Sequence, residues 1–104
     1  MENYEINITE PAENDLRDIA KHIFNQLNAP TTAQNMIQMI KAAIAKLKTM
    51  PLAHPPVRDD RLAALGYRVL FVKNYIVFYV INEKEKAIDV DRILYGRRDW
   101  RNIL

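Results

Sequence analysis

Five arginines carry most of the chemistry this sequence could perform. Arg97, Arg98 and Arg101 fall within five residues around Asp99 and Trp100, in the closing stretch RILYGRRDWRNIL (92–104), while Arg68 and Arg92 interrupt otherwise apolar runs. A guanidinium cannot lose its charge and offers a planar fork to phosphate or carboxylate. A neighbouring tryptophan can stack on a base or anchor in a protein pocket. The closing cluster is therefore expected to form a target-binding surface, Arg97, Arg98, Trp100 and Arg101, for an anionic partner. The opposing expectation is that Trp100, Ile103 and Leu104 fold back onto the core and leave the arginines to solvate an edge. Asp89 and Asp91 share a strand face and could act as paired carboxylates. They could equally be solvated edge residues facing lysine or arginine, with Arg92 in a cross-strand ion pair to Asp89 or Asp91.

Other chemistry is disfavoured by composition. Glycine occurs only at positions 66 and 96, too sparse for a phosphate-cradling loop. His22 and His54 lack ligand-like spacing and there is no cysteine, so neither a metal site nor another cofactor is expected. The N-terminal stretch MENYEINITEPAEND is acidic, unlike a signal peptide, and no apolar run approaches the ~18 residues of a membrane span. A cytoplasmic protein is the resulting expectation. Charge is unevenly spread. Residues 1–60 carry six Lys/Arg against eight Asp/Glu, and residues 61–104 carry nine against five, so the halves differ as −2 and +4. A basic C-terminal half on a nearly neutral chain points again to a localised anionic partner.

The elements that must position these residues are legible from periodicity. At 104 residues the chain is expected to be a single domain, 1–104. Tyr4, Ile6 and Ile8 alternate with polar residues as in a strand. Thr9-Glu10-Pro11 opens a helix whose apolar stripe runs Ala12, Leu16, Ile19, Ala20, Ile23, Phe24, Leu27 and which stops near Asn28, ahead of Pro30. A second helix, capped by Thr31 or Thr32, carries Met36, Ile37, Ile40, Ala43, Ile44, Leu47 and Met50. The short break makes the pair an antiparallel hairpin. Residues 51–65 read as an ordered loop with a short turn at Arg61 to Leu65. From Gly66 the period becomes two: YRVLFV (67–72) and YIVFYVI (75–81) meet at Lys73-Asn74, a tight turn in which Asn74 tolerates positive φ, and a third run follows at Ala87 to Tyr95. The expected fold is α+β, of order β-α-α-β-β-β, an antiparallel sheet of about four strands covered on one face by the helical hairpin.

This order, together with GYRVLFVKNYIVFYVINE and then ILYGRRDWRNIL, resembles the RelE/ParE superfamily of bacterial toxins across nearly the whole chain. The resemblance implies the toxin component of a type II toxin-antitoxin module, growth arrest on release, and a cognate antitoxin whose partly disordered segment wraps the toxin. It also implies one of two targets. RelE-like members are metal-independent nucleases that cut messenger RNA on the ribosome with basic and aromatic residues of the concave sheet face. ParE-like members share the fold and are associated with poisoning DNA gyrase.

Aligned on Gly96, Arg98 falls where RelE-like toxins place a catalytic arginine. Ile76 replaces the arginine those toxins carry in the middle strand, and no tyrosine follows Tyr95 in the tail. For a nuclease, Arg68 and Tyr95 are the residues that could substitute, giving Arg98, Arg68 and Tyr95 as its catalytic set. The ParE-like branch ends its last strand in His-Gly-x-Arg-Asp followed by leucines, which YGRRDWRNIL matches apart from Tyr95 at the histidine position. The expectation tilts to ParE-like inhibition of gyrase, with a RelE-like messenger RNA endonuclease as the alternative.

Overall fold

The computed structural model describes residues 3–96 and 100–104. Strand β1 (Glu5–Ile8) leads through Thr9 into helix α1 (Glu10–Leu27), which is followed by α2 (Pro30–Ala45) and a 3-10 turn at Lys46–Lys48. A short helix α3 (Asp60–Ala64) precedes the strands β2 (Tyr67–Val72), β3 (Tyr75–Asn82) and β4 (Ala87–Tyr95), and a last turn of helix, α4, spans Trp100–Ile103.

Both long helices carry a proline in their first turn. Pro11 and Pro30 stand in the first turn, where a missing N–H costs no hydrogen bond. Thr9 caps α1 by accepting from the Ala12 N–H, and Asn28 ends it in the left-handed region at φ 47°. The second helix starts earlier than the threonine reading placed it. Its N-cap is Ala29, which makes no side-chain capping bond, because Pro30 already supplies the helical φ.

Sheet order is β1-β4-β3-β2, with β3 antiparallel to both β2 and β4 and β1 parallel to β4. The sheet is thus mixed rather than wholly antiparallel, and the helical hairpin explains why. Helix α2 returns the chain to the start of β1, where the Tyr4 N–H donates to the Lys48 carbonyl at 2.9 Å. Strand β2 therefore sets out from the same end of the sheet as β1, and after one reversal in each direction β4 runs alongside β1 in the same sense.

Apolar side chains fill both faces of this sheet. On one, Leu16, Ile19, Ile23, Ile40, Ile44 and Leu47 of the helical layer pack on Leu70, Val72, Val77, Tyr79, Ile88, Val90 and Ile93. On the other, Val57, Leu62, Val69, Ile76, Phe78 and Leu94 form a second cluster, joined by half-buried Tyr67, Trp100, Ile103 and Leu104. Among the described residues, two members of the expected helical stripes stay in solvent: Phe24 and Met50 are 48% and 57% exposed, and Met50 lies beyond the end of α2 and its 3-10 turn.

The β2–β3 turn spans Lys73 and Asn74, but the left-handed residue is Lys73, at φ 55°, rather than Asn74. A side chain with a Cβ pays a steric penalty there that glycine avoids. Lys73→Gly is accordingly expected to raise the unfolding free energy by ~0.5 kcal/mol, the relief of strain less the added entropy of the unfolded chain, measurable by urea denaturation. Gly96 answers to a different constraint. A Cβ at that position would sit 3.2 Å from the Asn74 carbonyl oxygen, which already accepts the Gly96 N–H at 2.8 Å.

Candidate functional site

The register of β4 decides where its polar residues point. Ile88 and Val90 face the helices, and so do Ile93 and half-buried Tyr95. The period of two is broken between Val90 and Ile93 because β3 partners jump from Phe78↔Arg92 to Tyr79↔Val90, leaving Asp91 as the extra residue of a bulge. Five bonds tie this bulge to the start of α1. Thr9 donates its backbone N–H to the Val90 carbonyl and its hydroxyl to the Asp91 carbonyl. Asp15 accepts from Arg92 Nε at 2.7 Å, from Arg92 Nη2 at 2.8 Å and from the Ile93 N–H at 2.9 Å.

Asp15 is the one charged side chain buried in the described core, and Arg92 answers it with a two-pronged bond. The expected cross-strand pairing of Arg92 with Asp89 or Asp91 is replaced by this contact across layers. At the bulge Arg92 comes within reach of a helix that the strand pattern alone could not place. The hydrogen bond from Asp15 raises the Arg92 pKa further above its ordinary value.

The two carboxylates on β4 are held by different neighbours. Asp89 accepts from Asn7 Nδ2 at 3.2 Å, and Asp91 accepts from the Tyr67 hydroxyl at 2.5 Å. Burial, then the hydrogen bond and charge of Asp91, push the Tyr67 hydroxyl up to about 12. A group whose folded pKa is raised contributes stability that is complete below its unfolded value and disappears as pH climbs through the folded one. The contribution of Tyr67 should therefore be whole below pH 10 and vanish between 10 and about 12. Asp91→Asn is expected to lower that pKa and to shift the alkaline loss of thermal stability towards lower pH, read as Tm against pH.

Arg68 pairs with Tyr79 across β2 and β3, on the helical side of the sheet, and donates Nη1 to the His54 carbonyl at 2.6 Å. Tyr79 itself is fully buried and donates its hydroxyl to the Pro51 carbonyl at 2.8 Å. Arg68 thus fastens the 51–55 loop. Tyr95 lies near the opposite end of the sheet, where it pairs with Tyr75; Tyr75 and Tyr79 are four residues apart on β3, or ~13 Å along the strand. The structure does not bring Arg68 and Tyr95 together. Ile76 is buried in the second apolar cluster. Trp100 packs there too, its ring 5.3 Å from Phe78, so the expectation that the tail folds back onto the core holds for Trp100, Ile103 and Leu104. Arg97 and Arg98, with the side chain of Arg101, lie outside the described residues.

A recess lies between α1 and the end of β4. Asp15, Asp18, Ile19 and His22 form one wall and Tyr75, Ile93, Leu94 and Tyr95 the other, around about 540 Å³. Its signal was present in the i, i+4 spacing of Asp18 and His22, but the tyrosines opposite them depend on the bulge. Among the described residues, no group of three His, Asp or Glu could hold a metal ion, and no helix is long and apolar enough to cross a membrane.

A family model for the ParE toxin of the type II toxin-antitoxin system parDE matches residues 6–100, from β1 through the start of α4. The chain belongs to the ParE toxin family. Solved structures agree on the RelE/ParE fold. A chain of the chromosomal ParDE system of P. aeruginosa superposes with TM-score 0.74 at 21% identity, over 88% of this chain and 95% of that one. The E. coli toxin RelE, solved free as an arginine mutant, gives TM-score 0.67 at 12% identity, over 98% and 99%. A chain of the RelBE2 toxin-antitoxin complex of Mycobacterium tuberculosis gives 0.62 at 19%, over 91% and 93%. A comparison with curated protein sequences finds no match. The ParE match covers the helical hairpin, the bulge and the second apolar cluster as far as Trp100.

Proposed function

We propose that this ParE-family chain arrests growth by binding DNA gyrase without cutting nucleic acid, and that a cognate antitoxin neutralises it. One observation carries the reading. On the sheet face away from the helical hairpin, Phe78, Leu94, Val69 and Ile76 are buried beneath Val57, Leu62 and Trp100. A nuclease of the RelE-like kind needs basic and hydroxyl groups on its concave face to take a proton from the 2′-hydroxyl and to stabilise phosphate charge. Among the described residues this face is apolar under α3 and α4, the Tyr67 hydroxyl there is committed to Asp91, and Arg68 and Tyr95 lie on the other side. The cationic cluster Arg97, Arg98 and Arg101 is left as the proposed target-binding surface, acting by charge and shape. The ParDE and RelBE2 structures it resembles are toxin-antitoxin systems, which supports an antitoxin partner; the cytoplasm is the proposed compartment.

The alternative is ribosome-dependent messenger RNA cleavage, favoured by Arg98 alone, which follows Gly96 as in RelE-like toxins. Purified protein should inhibit gyrase supercoiling and trap its cleaved complex, with Arg98→Ala abolishing both, while transcripts on programmed ribosomes stay intact. Unimpaired supercoiling at toxin excess with cut transcripts would reverse the assignment.

A further inference from the structure

We propose that the recess between α1 and the end of β4 is a socket for a single arginine side chain, presented by the antitoxin segment that neutralises this toxin. The carrier rests on the reading above; the socket rests on its own geometry. Asp18 is exposed at one wall and makes no hydrogen bond or ion pair among the described residues. Asp15, deeper in, is already neutralised by Arg92, so Asp18 gives the recess one uncompensated negative charge. Opposite it, Tyr75 and Tyr95 meet edge to face, with ring centroids 5.8 Å apart and planes at 83°. Neither hydroxyl has a hydrogen-bond partner among the described residues, and neither oxygen is fully buried, so both are open to a ligand.

These are the parts that recognise a guanidinium. The carboxylate accepts its paired N–H groups, an aromatic face attracts the delocalised cation, and tyrosine oxygens accept the remaining donors. Ile19 and Ile93 add apolar wall for the three-carbon stem. The volume of about 540 Å³ admits the side chain together with part of the backbone that carries it. Charge complementarity also separates this occupant from nucleic acid, whose phosphates Asp18 would repel. Burial, and then Tyr95, hold the Tyr75 hydroxyl protonated above its ordinary range, so it adds no second negative charge at neutral pH.

The socket is tested first on the toxin alone. N-acetyl-argininamide is titrated against its neutral isostere N-acetyl-citrullinamide while amide resonances of Ile19, His22, Tyr75 and Tyr95 are followed by NMR. The expected result is a saturable perturbation by the arginine compound, at least tenfold weaker with citrulline and equally weakened in Asp18→Asn. Equal perturbation by both compounds, or saturation of the same resonances by a single-stranded oligonucleotide instead, overturns the proposal. The carrier is tested with the antitoxin encoded beside the toxin. Asp18→Asn should weaken that complex about tenfold with the Tm of the free toxin unchanged, and one antitoxin arginine should couple to Asp18 in a double-mutant cycle. Undiminished binding by Asp18→Asn overturns the antitoxin as carrier while the gyrase reading stands; an antitoxin that does not bind the unaltered toxin overturns the carrier and the proposed partner together.

Discussion

Asp15→Ala is expected to lower the unfolding free energy by about 3 kcal/mol and the Tm by roughly 12 °C or more. The substitution leaves three donors with nothing to meet: Nε and Nη2 of Arg92 and the N–H of Ile93. Arg92 is 24% exposed and can recover some hydration, which keeps the expected loss at the lower end for a broken buried pair. The backbone donor of Ile93 is buried and cannot. For a domain of this size, with total stability of about 5–15 kcal/mol, such a loss is a substantial fraction. Urea denaturation of Asp15→Ala, Asp15→Asn and the double variant Asp15→Leu/Arg92→Met separates the causes. Asparagine keeps the acceptor for Ile93 and should recover part of the loss. The apolar pair, which abandons no charge, should recover more than half of it. A fully stable Asp15→Ala would mean that the pair does not hold α1 to β4.

Phe78→Ala should cost about 3–4 kcal/mol, because a fully buried aromatic is removed from a small cluster that has few neighbours with which to collapse. It should also release the tail. Trp100 is the only tryptophan and its ring rests on Phe78, so its fluorescence reports the packing of α4 directly. A red-shifted emission in Phe78→Ala under native conditions is expected, with Phe78→Leu, which conserves volume better, losing under ~1.5 kcal/mol and showing a smaller shift. Unchanged emission in Phe78→Ala would mean that α4 is held by Ile103 and Leu104 without the aromatic contact.

These two positions mark the limits of what the sequence could reveal. Leu16, Ile19, Ile40 and Ile44 announce themselves by helical spacing, and the strands from Tyr67 to Tyr95 by alternation and turn chemistry, so the element order is legible. The direction of β1 is not, because the same alternating strand fits either sense; only the return of α2 to Tyr4 decides it. The partner of Arg92 was hidden for a related reason. Its ion pair spans 77 positions and depends on a bulge at Asp91, which no local periodicity encodes. Arg68 and Tyr95 looked interchangeable with residues of a sheet-face site, yet alternation turns both towards the helices. For Trp100 the apolar spacing to Ile103 and Leu104 was the informative signal, and it described a helix turn seated on the sheet.

The parallel pairing of β1 with β4 has a bearing on synthesis. Glu5 lies opposite Ala87 and Ile8 opposite Val90, so the first strand has no place in the sheet until the last strand exists. The cap of α1 on Asp91 and the Asp15 bond to Arg92 wait for the same segment. Pairings of such long sequence separation form late, after the loop entropy between them has been overcome. A nascent chain that has not yet emerged past β4 therefore lacks the partner of its first strand and the anchors of its first helix.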